Sequence, residues 1–112
     1  MAQGRVVAVD AARITDWDSF HAVFSDAFGF PDWYGRNMDA WIDLMTYMDE
    51  DRATTGVSVA PGEAVTIALD DGRDLRERLP EVYDALIECT AFVNWRRIEA
   101  GGTAYLCLAF HE

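Results

Sequence analysis

Asp39 and Asp43 stand four residues apart in Asn37-Met38-Asp39-Ala40-Trp41-Ile42-Asp43, and no other pair in the chain is better spaced for chemistry. On a helix that spacing sets two carboxyls on one face. Mutual repulsion would raise one pKa and leave an acid beside a base. The rest of an enzyme is missing. A nucleophilic site needs a base next to a serine or cysteine, and the two histidines, His21 and His111, belong to no motif. No Cys/His cluster has ligand spacing. Asp49-Glu50-Asp51 lacks the alternating ligands and glycine of a calcium loop and reads as a solvated acidic turn. Asp10-Ala11-Ala12-Arg13, behind the first candidate strand, holds no glycine-rich phosphate loop. Neither metal nor cofactor is expected, and catalysis ranks below binding.

Binding suits the same segment better. Pro31-Asp32-Trp33-Tyr34-Gly35 is an aromatic turn bracketed by proline and glycine, directly ahead of the acidic helix. Exposed aromatics offer large contact area at small entropic cost and recur in binding hot spots. The alternative is that one of the two rings packs inward. Thr46 and Tyr47 fall next to Asp39 and Asp43 on the helix face. Aromatics, a tight turn and carboxylates thus converge, a combination made for gripping a positively charged cleft.

The whole chain carries the same sign. Its 112 residues hold 20 acids against 9 bases, all arginine, for a formal charge of -11. That field disfavours nucleic acid and anionic membranes and speeds encounter with a basic partner. Length predicts one domain spanning residues 1–112. Arg5 follows the start closely and Asp10 cuts the first apolar run too short for a signal h-region. No stretch approaches membrane-spanning length. Cys89 and Cys107 sit in apolar elements and read as reduced thiols, so a cytoplasmic location is expected.

The elements that must position the site follow from periodicity. Arg5 to Asp10 is a β-branched strand candidate. Thr15-Asp16-Trp17-Asp18 has the spacing of a capping box, with Asp replacing the usual Glu. Behind it Trp17, Phe20, Phe24 and Phe28 recur at helical spacing with Val23 and Ala27, until Gly29 and Pro31 stop the helix. Asn37 caps a second helix running to about Met48, with Trp41, Leu44, Met45 and Met48 as its apolar stripe. Asp49 to Gly62 reads as a loop, with Gly56 to Val59 too brief to assign as a strand. Ala64 to Asp70 and Thr103 to Phe110 are strands. Between them lie a short helix over Arg73 to Leu79 and a longer one opened by Pro80 and ended by Gly101-Gly102. Val82, Ala85, Leu86, Cys89, Phe92 and Val93 form the apolar face of that long helix. The order predicts an α/β fold, a three-stranded parallel sheet flanked by about four helices with right-handed crossovers.

Pro31-Asp32-Trp33-Tyr34-Gly35-Arg36-Asn37-Met38-Asp39-Ala40 resembles the Pro-Glu-Tyr-Tyr-Gly-Glu-Asn-Leu-Asp-Ala segment of the barstar family, and the similarity continues through Asp43 to Thr46. The resemblance implies stoichiometric inhibition of a basic, extracellular, guanyl-specific ribonuclease of the barnase type, held harmless inside the producing cell. It implies that Asp43 enters the pocket for the RNA phosphate. Asp39 would pair with a nearby base, and Trp33 or Tyr34 would cover the catalytic histidine. Gly35, Asn37, Met38, Ile42, Thr46 and Tyr47 would complete the contact. Arg36 replaces an acid of the family segment and Ile42 a tryptophan. Anchoring on Gly101 sets Arg96 where the family uses a glutamate from its last helix, with Glu99 nearly one turn on. These departures suggest a related nuclease rather than barnase itself. The alternative is an acidic module of the same fold that binds another basic protein.

Overall fold

Three six-residue strands form the sheet: β1 (Arg5–Asp10), β2 (Val65–Asp70) and β3 (Leu106–His111). The computed structural model describes residues 4–111; Met1 to Gln3, where a leader would begin, and Glu112 lie outside the described residues. The strands pair in parallel in the order β1-β2-β3, with Val7 beside Ile67 and Ile67 beside Leu108. Each crossover carries two α-helices. The first contains α1 (Trp17–Phe28) and α2 (Met38–Thr46), the second α3 (Gly72–Arg78) and α4 (Pro80–Glu99).

Two crossovers of one hand, adding strands in one direction, must both lie on the same side of a sheet. Burial agrees. Val7, Val9, Val65, Ile67, Leu69 and Leu106 are buried on one face. The opposite face carries Val6, Ala8, Cys107 and Ala109 exposed, with Thr66 and Ala68 half-buried. The alternation in β1 and β2 therefore marks a sheet covered on one side.

Inward from α1 come Phe20, Phe24 and Phe28, all fully buried, and Phe24 meets Trp41 of α2 edge-on at 5.7 Å. Trp17, at the head of the stripe, stays 39% exposed and packs on Phe20 at 5.4 Å. The capping box falls one residue later than the sequence spacing indicated. Asp16 is the cap, its Oδ1 accepting from the Ser19 amide at 2.8 Å. Ser19 Oγ in turn accepts from the Asp16 and Thr15 amides at 2.9 and 2.7 Å. A serine at the third position thus satisfies two free donors, which Asp18 cannot do from the exposed second position.

Gly29 ends α1 with φ +64, and a Cβ there would stand 2.8 Å from the backbone of Gly56. The Gly56 amide donates to the carbonyls of Phe28 and Gly29 at 2.9 and 2.8 Å, which docks the long 47–64 connection onto α1. That connection holds no strand. α4 begins at Pro80 and turns Val82, Leu86, Thr90, Val93 and Arg97 inward. Phe92, expected on this face, is instead 46% exposed, because it sits about 100° around the helix from Val93.

Candidate functional site

The aromatic turn is fixed from beneath. The Tyr34 amide donates to the Pro31 carbonyl at 3.0 Å, closing the turn. Tyr34 is 7% exposed, and its hydroxyl meets His21 Nδ1 at 2.5 Å in the core. Burial pushes the Tyr34 phenol far above its usual range. Burial likewise lowers the His21 pKa, helped by the Arg36 charge and opposed by Asp18. His21 therefore serves as a neutral partner for Tyr34. Trp33, the residue before it, points the other way and is 69% exposed. One ring packs inward and its neighbour is presented.

From this turn the chain passes into α2 through Arg36, which takes a left-handed φ of 53 and whose guanidinium donates to the Asp18 carbonyl at 3.2 Å. Asn37 then caps the helix, its Oδ1 accepting from the Ala40 amide at 2.8 Å, while its Nδ2 donates to the Gly35 carbonyl at 3.2 Å. A single side chain ties turn and helix together, so Trp33 and α2 hold a fixed relation. The helix ends at Thr46, two residues short of Met48. Thr46 Oγ1 donates to the Ile42 carbonyl at 2.6 Å, and Met48 is buried in the turn that follows.

Asp39 and Asp43 are exposed, Asp39 in the first turn of α2 and Asp43 one turn later. Trp33, Gly35 and Asn37 are exposed beside them, and Met38 and Tyr47 are half-buried. Tyr34, Ile42 and Thr46 lie buried beneath this surface. A cleft of about 380 Å³ runs between the turn and the helix, bordered by Trp33, Tyr34, Asp43, Leu44, Tyr47 and Arg52. Asp43 and the aromatics Trp33 and Tyr34, neighbours in sequence, thus meet across one concave surface.

Two arginines of α4 reach this region. Arg96 donates through Nη1 to Asp43 Oδ1 at 2.7 Å and through Nη2 to the Tyr47 hydroxyl at 3.1 Å. The Asp43 hydrogen bond raises the Arg96 pKa against the opposing cost of burial. Arg52, from the loop, lies 3.7 Å from the centre of the Tyr47 ring. Glu99 is exposed, farther along α4.

Arg97 does structural work at the end of α2. Its guanidinium donates to both Asp49 oxygens at 2.9 and 2.8 Å, to the Thr46 carbonyl at 2.9 Å and to the Thr103 carbonyl at 2.8 Å. It also lies 3.5 Å over the Tyr105 ring. Tyr105 is buried, which pushes its phenol up to about 12, and its hydroxyl donates to the Met45 carbonyl. Asp49 is therefore no solvated turn residue: its side chain is 6% exposed. Hydrogen bonds from Arg97 hold its carboxyl below the usual range, against the opposing effect of burial. Sequence reasoning missed this pair. The signal was present in Val82, Leu86, Thr90, Val93 and Arg97, whose helical spacing places an arginine at the end of a buried stripe and so demands a buried acid.

Exposed Trp33 and Asp43 border a cleft suited to recognition. His21 is enclosed with Tyr34, and His111 faces Asp70 at 3.5 Å on the exposed end of β3. Among the described residues, no group of three His, Cys, Asp or Glu side chains could hold a metal, and no helix is long and apolar enough to cross a membrane. No curated protein matches the chain. A family profile described as barstar (barnase inhibitor) matches residues 4–106, so the chain belongs to the barstar family.

Proposed function

We propose that this protein is a stoichiometric inhibitor of a basic, secreted, guanyl-specific ribonuclease, acting in the cytoplasm of the cell that makes the nuclease. The observation that carries the reading is the cleft joining exposed Trp33 to the Asp43 face of a rigidly capped α2. A ribonuclease must gather cations where it holds the RNA phosphate. A carboxylate on a fixed helix offers those cations short, charge-assisted hydrogen bonds and so stands in for the phosphate. Asp43 takes that part and Asp39 pairs with a neighbouring base. Trp33 supplies the aromatic anchor over the catalytic residues. Gly35, Asn37, Met38 and Tyr47 extend the contact, while Tyr34, Ile42 and Thr46 hold its shape from below.

The net charge of -11 contributes by steering, since opposite fields raise the encounter rate well before contact forms. No cofactor takes part. Mutagenesis tests the site. In a ribonuclease assay over a panel of basic guanyl-specific enzymes, Asp39→Ala should weaken inhibition by at least about tenfold, the scale of a lost hot-spot contact. Asp51→Ala, at an exposed acid in the loop after α2, should change it by less than about twofold. Equal effects would sink the site assignment. If excess protein leaves every such nuclease active but binds another basic protein, the acidic-module reading replaces this one.

A further inference from the structure

Arg96 reaches from α4 into the centre of the acidic surface and occupies the carboxylate that the proposed inhibition uses. Its side chain is 29% exposed and that of Asp43 63% exposed, so both groups face an incoming partner. What α2 presents there is an ion pair rather than a bare anion. The Tyr47 ring carries a second cation, Arg52, on the cleft side. A nuclease pocket built of cations alone would meet Asp43 already satisfied and Arg96 as a like charge. Asp39 carries no such partner at hydrogen-bonding distance among the described residues, and remains the freer acid.

We propose that Arg96 determines the specificity of this surface: it tethers Asp43 and selects a basic partner that places a carboxylate opposite α4 beside the cations that meet α2. The proposal rests on the inhibitor reading and goes on to name the charge pattern of the target. Like-charge contacts are an economical way to reject a wrong partner, because they act on relatives that share every other feature. Retaining the pair is also favourable in the free protein, since Arg96 joins α4 to the end of α2 through both Asp43 and Tyr47.

The test uses barnase as a purely cationic probe, with a fluorogenic guanyl substrate. Wild type and Arg96→Lys should inhibit it weakly and alike. Arg96→Gln should tighten inhibition at least about tenfold and Arg96→Glu further. A merely structural role for Arg96 would move both neutral and acidic variants the opposite way, which overturns the proposal. Barnase variants with single glutamates around the cleft supply the second arm. At least one should be inhibited better than unmodified barnase by wild type, with the gain lost in Arg96→Gln. A set with no such variant overturns the charge-paired recognition. Wild-type inhibition unchanged by Arg96→Gln would remove the proposal and leave the inhibitor reading standing. Failure of every variant to inhibit any barnase would overturn the proposal and leave the inhibitor reading to the wider panel of guanyl-specific nucleases.

Discussion

Replacing Asp49 by asparagine should destabilise the protein by about 2–4 kcal/mol, although Glu50 and Asp51 beside it should tolerate the equivalent change. Asp49 and Arg97 are 6% and 9% exposed, and the pair is bidentate. Removing one partner of such a pair costs about 3–5 kcal/mol because a charge is left buried without compensation. Asparagine retains one acceptor, and Arg97 still meets the Thr46 and Thr103 carbonyls, which brings the loss toward the lower end. Against a total of about 5–15 kcal/mol this is a large fraction. With a urea slope of about 1.5 kcal/mol/M, the midpoint should fall by about 2 M. The assay is urea unfolding followed by fluorescence, for wild type, Asp49→Asn, Arg97→Met and the double variant. The double variant should lose at least about 1.5 kcal/mol less than the sum of the singles. The pH dependence adds a second check. The Asp49 carboxyl stays ionised in the folded chain at pH values where an unfolded aspartate, near about 3.9, takes up a proton. Its stabilisation is therefore complete above that value and lost as pH falls through the lowered folded pKa. Asp49→Asn should lack this acid-range slope. A loss under about 0.5 kcal/mol with strictly additive variants would refute the buried-pair account.

Other consequences follow from the turn and its supports. The His21 imidazole protonates less readily folded than unfolded, so stability should fall as pH drops from 7 through about 6.5 toward 5. His21→Gln should flatten that dependence, and an unchanged slope would acquit His21. Gly29→Ala combines a left-handed φ with a 2.8 Å approach to Gly56 and should cost about 2–4 kcal/mol in the same urea experiment. Trp33→Ala, at a side chain 69% exposed, should alter stability by less than about 0.5 kcal/mol yet weaken ribonuclease inhibition at least about tenfold.

The strands and helices were legible because their signals are local. β-branched runs mark β1 and β2, Asn37 and Gly29 mark helix ends, and Pro80 fits only the first turn of α4. Element order alone gave the parallel sheet. Its single covered face follows from crossover geometry together with the alternation of Val6, Val7, Ala8 and Val9. The candidate site was legible as a segment, since Trp33 through Asp43 is continuous in sequence. Its charge state was not. Arg96 lies 53 residues from Asp43 and meets it only because α4 packs against α2. The same holds for Arg97 and Asp49, 48 residues apart. Long-range pairing also decided which aromatic faces out, since Tyr34 turns inward to reach His21 and leaves Trp33 exposed.

Inhibition itself is tested most directly by a tight-binding titration. A basic guanyl-specific ribonuclease is held well above the dissociation constant, this protein is added stepwise, and residual cleavage of a fluorogenic substrate is read. For at least one such nuclease, activity should fall linearly and reach baseline at one equivalent, and the break should vanish when Asp39 and Asp43 are both changed to alanine. Full activity at ten equivalents across the panel, or a break that survives the double substitution, would contradict the account.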